Sequence, residues 1–402
     1  MNDILNKKTD SKAGSVFGNI QIVFAGDFCQ LKPPQVGSYP LFVYKDCDLW
    51  YHKVNTFLEL QTNHRFSHDR EWGKLLQCFR DKPKFNDVRK INSRIVGDDN
   101  NLTESDIPEN ICYGVKTNMD RNAINDAIFK KVLQESKHSK QFRDEKLKFT
   151  VCIKASDMRI KNTETKRDYK RMPQLLQNLI YTCCRDAHIK GGRSNSQQFD
   201  PLLKLYVGCP VMISENIDVV NLMANGSMCK FVGLELKDNV SMGSINIDDY
   251  YVNCVEADDV EYMVLELQEH IKLNESGEFI KVKPRKTNQL VAEIPIPHAG
   301  APQDHRTVRS KNTRIKFVQF PINISNARTV HKLQGRTIEN LMIASFDYRD
   351  NWIYVALSRV TTLKGLYLMK QLVFDKCKGM SGVCRSFHSY FRENKKPKQI
   401  LK

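Results

Sequence analysis

The stretch of sequence that decides the fold is Ala327-Arg-Thr-Val-His-Lys-Leu-Gln-Gly-Arg-Thr337. A strand leads into it, and the run from Thr329 to Gln334 predicts a short helix that Gly335 ends in the left-handed position after the last turn. Small polar and basic side chains gathered at the start of a helix suit contacts to a phosphate backbone. We therefore expect a strand, a turn and a helix that together face a polyanion.

A second segment, Tyr354-Val-Ala-Leu-Ser-Arg-Val360, follows shortly afterwards and predicts another helix. Its apolar face consists of Trp352, Val355, Ala356 and Val360. Arg359 lies beside this stripe, and we expect it to point away from the core. Packing or a solvated surface explains each residue taken alone. Neither of these explanations accounts well for the occurrence of both segments in this order.

Near the N-terminus, the apolar run Ile20 to Ala25 predicts a buried strand of a parallel sheet. Gly26 to Pro34 follows, so the polar cluster Asp27 to Gln30 lies where such a sheet opens its ligand crevice. Glutamine carries both a donor and an acceptor, and Gln30 can therefore bond a terminal phosphate oxygen and an attacking water together. A buried strand with a capped turn explains this segment alone equally well.

The next segments continue the alternation of strands and helices. Val54 to Leu60 predicts a second strand that leads to Arg65, whose planar guanidinium suits phosphate. A lone arginine after a strand is usually a surface residue, so Arg65 alone decides little. A helix begins after Asp69, and its apolar face consists of Trp72, Leu75, Leu76 and Phe79.

Ile111 to Val115 predicts a further strand, and Asn118 is the expected N-cap of the helix that follows. The apolar face of that helix consists of Ile124, Ala127, Ile128 and Val132. This alternation is typical of a parallel α/β sheet.

Helical periodicity fades between residues 136 and 316, where basic clusters and short apolar runs separated by turn signals indicate a β-rich insertion resembling a small barrel. The runs are Val207 to Ile213, Lys230 to Leu236, Tyr262 to Leu267, Phe279 to Val282 and Val291 to Ile296. We expect the α/β pattern to resume with Phe317 to Ile324 as one strand.

Composition limits the class of protein. The 402 residues are 41% hydrophobic and 27% charged, which is typical of a globular chain with more than one core. The net charge of +16 favours a polyanionic partner, of which nucleic acid is the commonest. Charge alone favours a basic enzyme with a solvated surface at least as strongly.

The expected location of the protein determines the expected state of its cysteines. No stretch is apolar enough to span a bilayer, and the polar first residues do not resemble a secretory signal, so we expect an intracellular protein of the nucleus or cytoplasm without a membrane partner. The 12 cysteines are then expected to be free thiols. Cys377, Cys384 and His388 are a weak metal-ligand pattern because a fourth ligand is missing, and we predict no metal site.

Taken together, these segments resemble the PIF-type DNA helicases of superfamily 1, which are relatives of RecD. The similar segments are Gly26 to Pro34 (third motif), Leu60 to Arg65 (fourth), Thr329 to Thr337 (fifth), Tyr354 to Val360 (sixth), Cys112 to Asn125, and Leu205 to Gly233. The similarity covers most of the chain and is thin through about residues 135–200 and 240–310. The fifth and sixth motifs together carry the assignment.

The resemblance implies an α/β fold of two RecA-like lobes, with the parallel sheets of P-loop NTPases, and with ATP and Mg²⁺ bound between the lobes. Gln30 would sense the γ-phosphate, and Arg65 and Arg359 would act as arginine fingers, so these three are the expected catalytic residues. The expected nucleotide contacts are Gly26, Asp27, Gln30, Arg65, Gln334, Gly335 and Arg359.

The resemblance also implies a single-stranded DNA partner and movement from 5′ to 3′ in replication, repair or recombination. DNA would be held through its backbone and by base stacking, with little sequence preference. The expected DNA contacts are Pro33, Thr329, His331 and Lys332.

One part of the family's machinery is not found in the sequence. No G-x-x-x-x-G-K-[ST] loop occurs, and neither Asp144-Glu145 nor Asp258-Asp259 follows an apolar strand as the Mg²⁺-binding pair should. Met1 stands about where the family's metal-binding segment ends. We therefore expect a helicase truncated at its N-terminus and inactive alone. The alternatives are a non-hydrolysing DNA-binding remnant and, less strongly, a transposon-derived protein.

The resemblance divides the chain into four parts. Residues 1–66 would be the end of an incomplete first RecA-like lobe. Residues 67–135 and 317–390 would form the second lobe, and the β-rich insertion would occupy residues 136–316. Residues 391–402 would be a basic tail.

Overall fold

Helices come from both halves of the chain. The computed structural model describes residues 20–31, 49–60, 64–97, 102–138, 149–162, 168–185, 200–221, 223–268, 279–290, 294–295, 307–308, 313–349 and 351–395. Its α-helices are α1 (Arg70–Asp81), α2 (Phe85–Asn92), α3 (Asn118–His138), α4 (Gln174–Arg185), α5 (Val330–Leu333), α6 (Trp352–Leu357) and α7 (Gly382–Asn394). Within these residues, no helix combines the length and apolar character that crossing a bilayer requires.

Strands dominate the middle of the chain. They are β1 (Cys112–Val115), β2 (Thr150–Lys154), β3 (Ser156–Asn162), β4 (Lys170–Arg171), β5 (Leu202–Tyr206), β6 (Pro210–Ile213), β7 (Met228–Leu236), β8 (Gly243–Ile247), β9 (Tyr250–Glu256), β10 (Val260–Leu267), β11 (Phe279–Val282), β12 (Arg285–Leu290), β13 (Ile294–Pro295), β14 (Thr307–Val308), β15 (Thr313–Gln319), β16 (Ile322–Ile324), β17 (Ala327–Thr329), β18 (Leu341–Ile343) and β19 (Leu366–Leu368).

The chain folds as two compact units, 1–114 with 330–402 and 115–329. The first unit contains a parallel sheet in which β18 lies between β1 and β19. Leu341 pairs with Cys112 on one side and with Leu366 on the other. Parallel strands buried by helices are what the alternating sequence pattern predicts, and the α/β class is confirmed.

Helix α1 anchors the core of the first unit. The predicted apolar face is confirmed, because Trp72, Leu75, Leu76 and Phe79 are all buried. Asp69 caps the helix by accepting a hydrogen bond from the Trp72 N–H at 2.9 Å. The indole Nε1–H of Trp72 donates to the buried Val360 carbonyl at 3.0 Å, which ties the helix to the end of the sixth motif.

Two of the predicted strands are not formed, and these predictions were wrong. Ile20–Ala25 and Val54–Leu60 carry no strand assignment, and Val23 and Leu60 are 92% and 81% exposed. A strand needs a partner to satisfy its backbone N–H and C=O groups. Among the described residues no neighbouring strand lies beside either segment, so β-propensity alone does not bury them.

The second unit is built from mainly antiparallel sheets, with one parallel pair, β2 with β9. A five-stranded sheet, β11-β10-β7-β6-β16, and a four-stranded sheet, β5-β2-β9-β8, share one apolar core. A third sheet, β12-β15-β3-β4, has its own smaller core around Met158 and Phe317. The β-rich character that the sequence predicts is present, as separate open sheets rather than one small barrel.

The boundary near residue 317 differs from the expectation. Phe317 to Ile324 was expected as one strand of the α/β sheet, and that prediction was wrong. The segment divides into the end of β15, antiparallel to β3 and β12, and β16, antiparallel to β6. Pro321 lies between them and has no N–H for a continuous ladder.

Helix α3 also differs in detail. Its cap is Thr117, whose hydroxyl accepts from the Asp120 N–H at 3.1 Å, rather than Asn118. Ala127 is exposed, and the buried face instead includes Asn125, Phe129 and Val132. Asn125 cannot be found by apolar periodicity, because its amide is buried through hydrogen bonds. It donates to the Ile324 carbonyl at 3.3 Å and accepts from the Ala327 N–H at 2.9 Å.

We predict that Trp72→Phe lowers the free energy of unfolding of the first unit by about 1–3 kcal/mol, because the buried Val360 carbonyl loses its donor. Urea unfolding followed by circular dichroism measures the change. The matched control is Tyr251→Phe at a side chain 82% exposed, which we expect to have little effect. Equal midpoints for Trp72→Phe and the wild type would contradict the role given to this hydrogen bond.

Candidate functional site

The turn Asp27–Gln30 is held by the Asp27 side chain. Its carboxylate accepts from the Cys29 N–H at 2.9 Å and from Gln30 Nε2 at 3.3 Å, and the Gln30 N–H donates to the Asp27 carbonyl at 3.0 Å. Arg80 of α1 forms an ion pair with the same carboxylate at 3.3 Å. Although burial opposes it, the charge of Asp27 raises the pKa of Arg80. The turn is therefore fixed against α1.

Gln30 retains an unused acceptor at this turn. Its side-chain oxygen Oε1 is buried and accepts no hydrogen bond from the described part of the chain. A buried carbonyl without a donor costs free energy unless a ligand or water supplies one. Gln30 can therefore accept a hydrogen bond from a donor that comes from outside the protein.

Arg359 is a charged residue buried in the first unit. It is only 1% exposed, so the expectation that it points away from the apolar stripe was wrong. Its guanidinium donates to the Val355 carbonyl at 2.8 Å, the Ser358 hydroxyl at 2.7 Å and the Arg336 carbonyl at 3.4 Å. All of these acceptors are neutral. Within the described ranges no carboxylate lies within ion-pair distance of Arg359.

Helix α6 is shorter than expected, and this explains the orientation of Arg359. It ends at Leu357, and Val360 pairs with Ile338 as an isolated parallel bridge. Arg359 therefore belongs to the segment that leaves the helix and enters the interior, which helical periodicity does not describe.

A second guanidinium lies beside the first. Arg65, in the 3₁₀ turn His64–Phe66, donates to the Ser358 carbonyl at 3.3 Å. Burial and then the charge of Arg65 lower the pKa of Arg359 to about 10. Two neighbouring guanidinium groups, one of them buried and without a counter-ion, form a site where an anion relieves the electrostatic cost.

The turn and the two arginines belong to one neighbourhood. The negative charge of Asp27 acts on Arg359, and burial followed by the charge of Asp27 raises the pKa of Tyr354, so its hydroxyl stays protonated. Because Gln30 is bonded to Asp27, the structure brings Gln30, Arg65 and Arg359 together. Their predicted catalytic roles stay predictions.

The remaining residues of the expected nucleotide set are Gly26, Gln334 and Gly335. Gln334 is exposed. Gly335 has φ +81°, the left-handed conformation that its sequence position predicts, and it ends α5. Gly26 is exposed, and no atom lies within 4 Å of the position that a Cβ would take, so no steric reason for glycine is found there.

The expected DNA contacts are divided among several places. His331 and Lys332 are exposed on α5, where a polyanion can reach them. Thr329 ends β17 in the second unit and is half-buried. The prediction for Pro33 lies outside the described residues.

Sequence reasoning missed two residues of this site. Arg80 lies on α1, outside every motif, and only its ion pair with Asp27 reveals it. Ser358 stands within the sixth motif and could have been found there, because its hydroxyl and carbonyl hold Arg359 and Arg65 respectively.

Comparisons with known proteins concern the fold of the chain. The structure of the Pif1 helicase from Candida albicans is 17% identical, with a TM-score of 0.57, and the match covers 98% of this chain and 72% of that one. Bacteroides Pif1 bound to ssDNA is also 17% identical with a TM-score of 0.57, covering 99% and 73%. The chain has a fold similar to that of the Pif1 helicases.

Pif1 structures have RecA-like folds, which places the parallel sheet of the first unit in that class. Among curated proteins, Uncharacterized protein 030L of Invertebrate iridescent virus 6 is 22% identical over 393 residues, covering 90% of this chain and 67% of that protein. No family model matches the chain. At these identities the similarity to Pif1 establishes the fold.

The site fits part of the nucleotide that Pif1-like folds imply. Two guanidinium groups and a glutamine with an unused acceptor suit a terminal phosphate and the water that attacks it. They do not suit Mg²⁺, because the Asp27 carboxylate is already occupied by Arg80, Gln30 and the Cys29 N–H. No P-loop lysine is available in the sequence.

We predict that Arg359→Met leaves the free energy of unfolding within about 1 kcal/mol of the wild type. Removing the buried charge stabilises the folded state by about 3 kcal/mol, because the desolvation cost of that charge disappears. Losing the hydrogen bonds to Val355, Ser358 and Arg336 destabilises the folded state by about the same amount. Urea unfolding at neutral pH measures the change.

The control for that prediction is Arg94→Met. Arg94 also donates to backbone carbonyls, of Leu366 at 2.8 Å and Lys364 at 2.7 Å, and it is less buried. We expect its loss to cost about 1–3 kcal/mol because no desolvated charge is relieved. A loss above about 3 kcal/mol for Arg359→Met would show that Arg359 serves packing rather than an anion.

Proposed function

We propose that this chain is part of an ATP-dependent DNA helicase of the Pif1 type that moves 5′ to 3′ in replication, repair or recombination. The observation that carries the proposal is the buried, unpaired guanidinium of Arg359 beside Arg65, in the neighbourhood of Gln30. Two similar structures support it, Bacteroides Pif1 bound to ssDNA and Bacteroides Pif1 in complex with ADP-AlF3 and ssDNA.

In this proposal the first unit acts on the terminal phosphate. Gln30 Oε1 accepts a hydrogen bond from the attacking water and orients it. Arg359 and Arg65 stabilise the negative charge that builds on the phosphoryl oxygens, a contribution worth about 10³–10⁵ in rate for arginine fingers. ATP, when bound, supplies the phosphoryl group whose hydrolysis drives movement. Arg80 keeps the turn in place through Asp27 and does not touch the phosphate.

DNA is the partner that fits the charge of the chain. Its net charge of +16 favours polyanions, and His331 and Lys332 are exposed on α5, next to the segment that leads to Arg336. The Arg336 carbonyl accepts from Arg359, so the same strand–helix segment connects the exposed basic residues with the phosphate site. This connection offers a route by which DNA contacts and phosphate contacts influence each other.

A non-hydrolysing single-stranded DNA-binding protein is the second candidate. It is favoured by the missing P-loop and by the occupied carboxylate of Asp27, which leaves Mg²⁺ without a ligand at the turn. We place either protein inside the cell, in the nucleus or cytoplasm. Buried thiols outside disulfides, such as those of Cys152 and Cys254, suit a reducing compartment.

We predict that the full chain binds single-stranded oligonucleotides and that the logarithm of the affinity falls linearly with the logarithm of the salt concentration. Fluorescence anisotropy over a salt series measures the slope. Lys332→Ala should weaken binding and reduce the slope by about 1, as the loss of one phosphate contact does. The control is the exposed Lys370, whose alanine variant should leave the slope unchanged. Salt-independent binding would contradict both candidate functions.

We predict that pyrophosphate raises the thermal midpoint of the wild type and of Arg94→Met, and raises that of Arg359→Met much less. Of these two arginines, Arg359 is the buried one, and it has no counter-ion among the described residues. We also expect no ATP turnover by the chain alone, with or without ssDNA, since no P-loop lysine is present.

Two results would change this interpretation. An equal pyrophosphate effect on all three proteins would contradict a phosphate site at Arg359 and leave the DNA-binding candidate. Turnover that ssDNA stimulates and Arg359→Ala abolishes would eliminate the non-hydrolysing candidate. Forked substrates with a 5′ or a 3′ tail would then give the direction of unwinding.

A further inference from the structure

Three metal-ligating side chains meet behind the turn Asp27–Gln30. Cys29 of this turn lies next to Cys384 and His388 of α7, and one ligand atom from each residue lies within 4.8 Å of the others. Cys384 and His388 are four residues apart on one helix and so project from the same face. The linear sequence separates Cys29 from both by most of the chain, which is why its pattern does not predict this cluster.

The cluster is buried and incompletely satisfied. Cys29 and Cys384 are 0% and 1% exposed. The Nε2 atom of His388 is buried and has no hydrogen-bond partner in the described part of the chain. A buried ring nitrogen without a partner costs free energy. A cation that accepts its lone pair would remove that cost.

The surrounding residues hold the three ligands in place. Ser381 caps α7 by accepting from the Cys384 N–H at 3.2 Å, and the Cys384 thiol lies 3.6 Å from the Phe28 carbonyl. The Phe28 ring packs edge-on against Phe387 at 4.8 Å and against His388 at 5.9 Å. An aromatic shell of this kind limits water and fixes side-chain rotamers, as supporting residues do around metal sites.

The two thiols share a hydrogen bond. A hydrogen bond with Cys384 and then burial raise the pKa of Cys29, and the same hydrogen bond lowers the pKa of Cys384. Arg80 lies near enough for its charge to lower the pKa of both thiols. A cation that displaces both thiol protons would leave a neutral unit of one divalent ion and two thiolates next to this arginine.

We propose that Cys29, Cys384 and His388 form a binding site for a soft divalent cation, with Zn²⁺ as the best match. Two thiolates and an imidazole are a ligand set that zinc accepts in four-coordinate sites. Bond lengths of about 2.0–2.3 Å place the ligand atoms of such a site about 3.5 Å apart. The observed cluster therefore needs to contract by only about 1 Å.

A water molecule would fill the fourth position. The Asp27 carboxylate is already occupied by Arg80, Gln30 and the Cys29 N–H. His388 is half-buried, so solvent can reach the cluster from its side. Cys377, which the sequence pattern groups with Cys384 and His388, does not take part.

The bound cation would join α7 to the turn that carries Gln30. Cys29 is the residue immediately before Gln30, so its sulfur–metal bond would restrict the turn in addition to the Asp27–Arg80 ion pair. The site is a positioning element and is independent of whether the chain hydrolyses ATP.

The experiment uses the full chain, purified under reducing conditions and freed of metal. Zn²⁺ is titrated in competition with a chromophoric chelator, and Co²⁺ is used as a spectroscopic probe, because thiolate ligands give charge-transfer absorption. We expect one tightly bound ion per chain and release of two protons. Affinity should then fall about 100-fold for each pH unit below the thiol pKa values.

The variants Cys29→Ser, Cys384→Ser and His388→Gln should each weaken Zn²⁺ binding by more than about 100-fold, beyond the effect of outer-shell changes. The matched controls are Cys78→Ser and Cys377→Ser, which lie outside the cluster and should bind like the wild type. Equal affinity in all five variants, or no stoichiometric ion in the wild type, would overturn the proposal.

A second measurement avoids the risk that a variant fails to fold. In the wild type, Zn²⁺ should slow alkylation of Cys29 and Cys384, mapped by peptide mass spectrometry, while Cys78 and Cys377 react at unchanged rates. Equal rates at Cys29 and Cys384 with and without Zn²⁺ would count against the site. A Cys29–Cys384 disulfide in the freshly purified protein would overturn it in favour of a redox pair.

Discussion

The structure of the first unit depends on the contacts that hold one buried positive charge, the guanidinium of Arg359. Arg359 is placed among neutral acceptors, with Arg65 against it and Asp27 acting from the neighbouring turn. The backbone around it is fixed by α1, since Trp72 bonds the carbonyl of Val360 and Arg80 bonds Asp27. Helix α1 therefore supports both sides of the site. The Arg359 guanidinium is held in place without an ion pair to a carboxylate of the described residues.

This arrangement explains why the sequence predicts some features of the first unit and not others. The face of α1 and the left-handed Gly335 follow from periodicity and backbone sterics, and both are found. Periodicity also suggests that Arg359 faces solvent, and it fails because the helix ends before that residue. A local pattern describes a residue only while the element that generates the pattern continues.

Other differences arise from partners that a linear pattern does not include. Ile20–Ala25 has the composition of a strand and lacks a described neighbour to pair with. Asn125 is buried because two backbone groups far along the chain use its amide. Cys29 meets Cys384 and His388 only after folding, so spacing in the sequence points to Cys377 instead.

The exposed segment before the turn has a consequence for solubility. Its Val23 side chain is 92% exposed a few residues from the polar turn. A strand laid along this segment would gain ladder hydrogen bonds and cover apolar area without disrupting any packed core. Such a strand would reduce the apolar area that the segment presents to water.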